Sequence, residues 1–207
     1  MVWFQKFDGI KLMDLLRRCD LIEVPWKNGG GTTREIAAGK IDEKTAWRPS
    51  RAGVDQDSAF SEFAGLTRIL TVVSGGGMVL KHAGGMLDAD LWRPVQFDGS
   101  LKILSQLRDG PLTDLNLMFD PTNCVGEVVI NRGPCTMAVA SPKDGINGFH
   151  VLSGKPSINA TRLGLGDTAF VKAKKAILHL DPGDALLEIR LTYLPQSSAI
   201  KLCIVAR

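Results

Sequence analysis

From Leu186 to Leu194 the chain alternates with a period of two: Leu187, Ile189, Leu191 and Tyr193 are separated by Glu188, Arg190 and Thr192. Successive side chains of an extended backbone point to opposite faces, so this segment reads as a strand with one apolar and one wet face. Shorter strand signals precede it. Ile69–Val73 is an apolar run that ends at Ser74-Gly75-Gly76-Gly77, and Met78–Lys81 follows, which predicts a hairpin around a glycine turn. Val125–Ile130 and Cys135–Ala140, joined by Asn131-Arg132-Gly133-Pro134, form the next pair. Glycine makes up 22 of the 207 residues, about one in nine, and supplies the chain reversals that a fold of many short strands needs.

Helix is scarce. Lys11–Cys19 has Leu12, Leu15 and Leu16 at helical spacing, but nine residues suit a strand as well as a helix. Pro111–Met118 is a second helix candidate, weakened by Asp114 and Asn116. An internal echo carries more weight. Leu70-Thr71-Val72-Val73-Ser74-Gly75 is matched by Phe149-His150-Val151-Leu152-Ser153-Gly154, and Gly164-Leu165-Gly166-Asp167 then leads into Thr168–Val171. A strand closing on Ser-Gly, then a strand entered through Gly-x-Gly-Asp, is the rhythm of a cupin-type β-barrel. Two such units predict two barrels in one chain of this length.

Several chemistries lack their residues. A metal-binding barrel of this type needs clustered histidines. His82, His150 and His179 each stand alone and read as core or surface side chains, so no metal and no cofactor are expected. Cys19, Cys124, Cys135 and Cys203 form no Cys-x-x-Cys pair, and Cys203, within Ile200–Val205, reads as strand core. A net charge of +3 leaves no footprint for nucleic acid, and Lys172-Ala173-Lys174-Lys175 reads as a solvated turn or edge strand. No apolar run approaches a membrane span, and Met1–Lys6 does not open a signal peptide, so a cytoplasmic protein with reduced thiols and no membrane partner is expected. The Gly-x-Ser-x-Gly elbow of serine hydrolases is absent.

Pro25-Trp26-Lys27-Asn28-Gly29-Gly30-Gly31-Thr32-Thr33-Arg34 is the most unusual stretch. It fits neither the Walker A pattern nor the dinucleotide fingerprint. Three consecutive glycines can turn backbone N–H groups into an anion-receptive concavity, with Lys27 and Arg34 beside it; a surface loop is the plain alternative. Arg68 directly precedes an apolar strand, and at a barrel mouth its guanidinium can grip a carboxylate through two parallel hydrogen bonds. Asp114 and Asn116, at i and i+2, share a face if their segment is extended.

Together, Pro25–Ile36 (PWKNGGGTTREI), Trp47–Ala52 (WRPSRA), Phe60–Gly65 (FSEFAG) with the following Leu66–Leu70, the SGGGM turn, Phe97–Gly99 (FDG) and Asp114–Met118 (DLNLM) resemble the HutD/Ves family. The family's bacterial proteins are associated with histidine utilisation or stress response. The match covers most of the chain up to Met118, and the rest agrees mainly in rhythm. The resemblance implies a mainly β bicupin, two RmlC-like jelly-roll halves with few short helices. Residues 1–118 would form the N-terminal half and 119–207 the C-terminal half. It further implies no metal centre, no established catalysis, and a pocket in the N-terminal barrel for an acidic intermediate of histidine breakdown such as N-formylglutamate. Lys27, Asn28, Arg48, Arg68, Asp114 and Asn116 are the pocket residues by motif position. The sequence departs from the family at Ala64, where proline is common, at Ser58-Ala59, where Gly-Pro is usual, and at Pro49 and Arg51, where apolar residues are usual. The expected partner is a small carboxylate-bearing metabolite. The alternative is an isomerase or hydrolase using His150 or Asp114 as base, and a homodimer paired through sheet edges is compatible with either.

Overall fold

The computed structural model describes residues 13–197 and 200–204. Met1–Lys6, read above for a signal peptide, lies outside them, as do Lys11 and Leu12 of the first helix candidate. The described chain passes through twenty-one strands, and its helix is confined to single 3-10 turns at Arg18–Asp20 and Pro195–Ser197. The leading strands are β1 (Met13–Leu16), β2 (Glu23–Pro25), β3 (Gly31–Glu35) and β4 (Ala37–Ile41). Eight follow: β5 (Lys44–Val54), β6 (Ser58–Ala59), β7 (Thr67–Ser74), β8 (Met78–His82), β9 (Gly85–Ala89), β10 (Val95–Asp98), β11 (Leu104–Leu107) and β12 (Leu112–Phe119). Eight more are β13 (Cys124–Arg132), β14 (Cys135–Val139), β15 (Gly145–Ser153), β16 (Ser157–Ile158), β17 (Thr161–Arg162), β18 (Thr168–Val171), β19 (Ala176–Leu180) and β20 (Ala185–Tyr193), and β21 (Lys201–Ile204) closes the series.

The first set of eight makes the sheet order β10-β7-β12-β5 opposite β6-β11-β8-β9, and the second makes β18-β15-β20-β13 opposite β14-β19-β16-β17. Adding eight to each strand number turns the first arrangement into the second. The fold is therefore a duplicated jelly roll, the mainly β bicupin that the echo and the resemblance predict. Even the irregularities repeat. The ladder of β12 on β7 jumps from Thr113↔Ser74 to Asp114↔Val72, and that of β20 on β15 jumps from Ala185↔Ser153 to Leu186↔Val151. The strands at the chain ends exchange: β1 pairs with β18, and β21 pairs with β4.

Each barrel has its own core, and a third apolar layer lies between them. Leu70, Val72, Leu80 and Phe97 fill the N-terminal barrel, and Phe149, Val151, Leu178 and Leu186 the C-terminal one. Leu115, Leu117, Leu187 and Ile189 join the halves. There Trp47 and Phe170 meet with ring centroids 6.3 Å apart. Strands buried on both faces need nearly continuous apolar sequence, and in Ile69–Val73 only Thr71, itself fully buried, interrupts it.

Several local expectations are corrected. Ile69–Val73 and Met78–Lys81 do not form a hairpin: β7 and β8 lie in opposite sheets, as do β13 and β14. The glycine turn carries the chain around a corner from one sheet to the other. Gly75 (φ +101) and Gly154 (φ +74) occupy equivalent corners in the left-handed region, where a side chain is strained. A Cβ on Gly75 would stand 2.6 Å from Leu112 Cβ, and one on Gly154 would strike Asp184. Pro111–Met118 is strand rather than helix, because one face of β12 lines the barrel and the other packs between the halves. The first helix candidate resolves into β1 and a 3-10 turn. Cys203 is exposed on β21, not core. The polar face of Leu186–Leu194 is not simply wet, since Glu188 is 4% exposed inside the C-terminal barrel.

Candidate functional site

Three adjacent strands bring the polar residues together. Alternation along β5 turns Arg48, Ser50 and Ala52 into the N-terminal barrel, and the ladders align them with β12 and β7. Arg48 faces Met118, which faces Arg68. Ser50 faces Asn116, and Ala52 faces Asp114. With the loops above them these rows line a cavity of about 510 Å³. All six residues carried over by motif position, Lys27, Asn28, Arg48, Arg68, Asp114 and Asn116, border that cavity.

Arg68 is 3% exposed and stands in an aromatic cage, its guanidinium carbon 5.3, 5.5 and 5.0 Å from the ring centroids of Phe60, Phe63 and Phe97. Nη1 donates to the Ser61 carbonyl at 3.2 Å, whereas Nε is buried with no partner. The rings supply electron-rich faces but accept no strong hydrogen bond. Burial lowers the Arg68 pKa to about 10, with Arg48 adding to the effect and Asp114 opposing it. Asp114 and Asn116 are buried, and Oδ1 of each lacks a hydrogen-bond partner. Burial pushes the Asp114 carboxyl up to about 7, against the pull of Arg68 and then Arg51. A buried polar atom without a partner costs roughly 1–3 kcal/mol, and three such atoms, Arg68 Nε, Asp114 Oδ1 and Asn116 Oδ1, belong to residues that line this one cavity.

The mouth is built by the glycine-rich segment and by the loop after β6. Trp26 Nε1 donates to Thr33 Oγ1 at 2.7 Å, and the indole packs edge-on against Phe60 with centroids 6.0 Å apart. The glycines do not form an anion nest. Gly29 N–H donates to the Trp26 carbonyl and Gly30 N–H to Asn28 Oδ1, so both donors are consumed by the turn itself. Gly30 and Gly31 are small because the chain passes tightly over Ser58 and over the Gly53 carbonyl. Asn28 is occupied in the same turn and also donates to the Ala59 carbonyl at 3.4 Å, which makes it a builder of the rim. Arg48 lies 5.8 Å from the Phe63 centroid, and its Nε is 3.6 Å from Glu35 Oε2, too long for a hydrogen bond. Lys27 is exposed at the rim.

Sequence reading missed Ser50, Ala52, Phe60, Phe63 and Met118 as lining residues. The signal was present in the period of two that places Ser50 and Ala52 on the face of Arg48, and Met118 on the face of Asp114 and Asn116. His150 is not among the residues that line this cavity. It sits between the halves, 1% exposed, with Nδ1 2.8 Å from Thr168 Oγ1. Burial, then Arg51, hold its pKa down at about 3, against a counter-pull from Asp167. Among the described residues no group of three or more His, Cys, Asp or Glu side chains is placed to hold a metal ion.

A family model described as HutD matches residues 18–187. An uncharacterised 21.2 kDa protein in the hutC 3′ region of Pseudomonas putida is 37% identical over 117 residues, which span 53% of this chain and 59% of that protein. The protein Ves of Citrobacter koseri is 28% identical over 175 residues, 82% of this chain and 89% of its own length. Among solved structures, HutD from Pseudomonas fluorescens SBW25 in a formate condition superposes with a TM-score of 0.75 at 28% identity, covering 88% of this chain and 99% of that one. The bacterial pirin YhhW of Escherichia coli, in complex with nickel(II), shares the fold with a TM-score of 0.66 at 8% identity, covering 88% of this chain and 100% of that one.

Proposed function

Because the chain belongs to the HutD family, we propose that it is a metal-independent binding protein whose N-terminal barrel holds a small carboxylate-bearing metabolite. The observation that carries this reading is Arg68, a caged cation whose Nε has no partner. A carboxylate brought to that nitrogen would complete its hydrogen bonding in a desolvated setting, where a charge-assisted contact contributes roughly 1.5–3 kcal/mol. The aromatic walls suit the carbon skeleton of the ligand, and Asn116 and a protonated Asp114 can hydrogen-bond to an amide or formyl group. N-formylglutamate has these features, and the P. putida relative lies beside a hut gene, so a role in modulating histidine utilisation is the family-level expectation we adopt. Four free cysteines fit a reducing cytoplasm.

Thermal unfolding across a panel of histidine-pathway acids, simple carboxylates and neutral sugars tests the reading. Acids should raise Tm, by about 2.7 kcal/mol of added stability at a hundredfold excess over Kd. A sugar that stabilises while every acid is silent would refute it. One observation favours a second reading: Asp114, pushed up to about 7, has the pKa of a general base. Turnover of formyl-amino acids that vanishes in Asp114→Asn would establish that isomerase- or hydrolase-type role. His150 is outside the cavity and does not contribute to it.

A further inference from the structure

The face of β5 that points away from the cavity carries a second group of cations. Arg51 lies between Ser50 and Ala52 in sequence and therefore projects the opposite way, toward the layer between the halves. It is 8% exposed, and both Nε and Nη1 are buried without a hydrogen-bond partner. Arg34 stands directly opposite it across the β3–β5 ladder, a placing of like charges that destabilises a sheet. Arg18, from the 3-10 turn after β1, approaches from the other side. A Cβ on Gly166 would be 2.5 Å from Arg51 Nη1 and 2.9 Å from Arg18 Cδ, so the two arginines meet over that glycine.

Two neighbouring carboxylates, Asp167 and Glu23, are already engaged. Asp167 accepts from Arg17 Nη1 at 2.7 Å and from the backbone N–H groups of Arg18 and Gly164 at 3.0 and 2.8 Å. Glu23 pairs with Arg34. Among the described residues no ion pair is formed by Arg51 or by the Arg18 guanidinium. Burial and then the neighbouring Arg18 and Arg34 lower the Arg51 pKa to about 10, with Asp114 opposing them from the other face of the sheet. A cleft of about 550 Å³ opens beside them, lined by Arg17, Arg18, Cys19, Leu21, Glu23, Arg34 and Asp167, with Arg51 buried just behind this lining.

We propose that this cleft, separate from the N-terminal cavity, is an anion site for a phosphate group, carried as inorganic phosphate or as a phosphate monoester. The four guanidiniums of Arg17, Arg18, Arg34 and Arg51 outnumber the two carboxylates of Glu23 and Asp167 by two, which calls for a dianion, and a tetrahedral oxyanion can accept hydrogen bonds from several directions at once. Arg34 lies on β3, which pairs with β5 of the first barrel, and Arg18 follows β1, which pairs with β18 of the second, so a bound phosphate ties the two halves together.

Calorimetric titration and thermal unfolding of the full chain with inorganic phosphate, against sodium chloride at matched ionic strength, test the site. Phosphate should give saturable binding and a raised Tm. Arg18→Gln should weaken binding by about tenfold or more and Arg51→Gln, which removes a charge behind the lining, severalfold, while Arg68→Met leaves it unchanged. Where Arg51→Gln does not fold, Arg18→Gln alone decides. A phosphate effect no larger than that of chloride, equal affinity in wild type and Arg51→Gln or Arg18→Gln, or loss of binding in Arg68→Met would overturn the proposal. So would succinate that competes with phosphate and binds more tightly. A phosphate monoester binding more tightly than inorganic phosphate would support a phosphorylated metabolite as the occupant.

Discussion

In the C-terminal barrel Glu188 receives two parallel hydrogen bonds from Arg190, each 2.9 Å, and a third from Asn131 at 2.9 Å, while Arg190 also reaches Glu127 at 3.3 Å. At the equivalent places in the N-terminal barrel the same strands carry Asn116 for Glu188, Met118 for Arg190 and Arg48 for Glu127, as the paired registers show. Arg68 stands where the second repeat has Asn147. One barrel has thus closed its polar groups on one another, and the other has left a cation, a carboxyl and an amide facing empty space. Duplication supplied two copies of one framework, and exchange of a few inward side chains separates a self-satisfied polar cluster from a cavity lined by unsatisfied polar atoms. The polar groups of the second barrel satisfy one another, whereas the unsatisfied atoms of the first are a standing cost that a bound group would offset.

The sharpest way to break this contrast is through pH. Asp114 has a folded pKa of about 7 against 3.8 for the free group. Between those values the unfolded chain loses its proton and the folded chain keeps it, so stability falls as pH rises from about 4 to 7. Asp114→Asn should remove that slope and stabilise the ligand-free protein by up to about 4 kcal/mol at pH 8, measured by denaturant unfolding. His150 acts in the opposite sense. Neutral when folded, with a pKa near 3, it makes the protein lose stability as pH falls from 6.5 toward 3, and that limb should persist in Asp114→Asn. A pH profile unaltered by the substitution would mean that Asp114 is not desolvated.

A smaller effect is expected in the second barrel. Glu188→Ala leaves Asn131 and Arg190 without their common acceptor and should cost roughly 1–3 kcal/mol, with no change in carboxylate binding. Loss of binding there would show that the two barrels are not independent. Lys27→Ala should have the smallest effect, a two- to threefold loss of affinity that disappears at high salt, because an exposed cation at the rim acts through screened attraction.

The sequence displayed the architecture better than the local connections. The Ser-Gly corners at Gly75 and Gly154 were visible as an echo because a left-handed turn against a close neighbour demands glycine in both halves. A turn signal, however, shows only that the chain reverses. Whether it returns to the same sheet or crosses to the opposite one depends on distant partners, and so two hairpins were expected where the barrel turns a corner. Asp114 and Asn116 lowered helix propensity in Pro111–Met118, yet their shared direction into the barrel is a tertiary fact. The motif resemblance found Arg48 and Arg68 for the cavity. Ser50 and Met118 were overlooked although they share the same alternation, because neither carries charge. Arg51 was visible only as a cation on a face expected to be apolar, and its meeting with Arg18 over Gly166 joins residues far apart in the chain.

We propose the aromatic-caged guanidinium of Arg68, whose Nε has no partner, as the seat of a carboxylate. Isothermal titration of N-formylglutamate and of formate into wild type and Arg68→Met decides it most directly. The substitution should weaken binding by at least about tenfold while the ligand-free Tm is unchanged or rises, since a buried charge with no ion-pair partner is removed from an apolar cage. Equal affinity in the two proteins, or a collapse of Tm without any change in affinity, would contradict it.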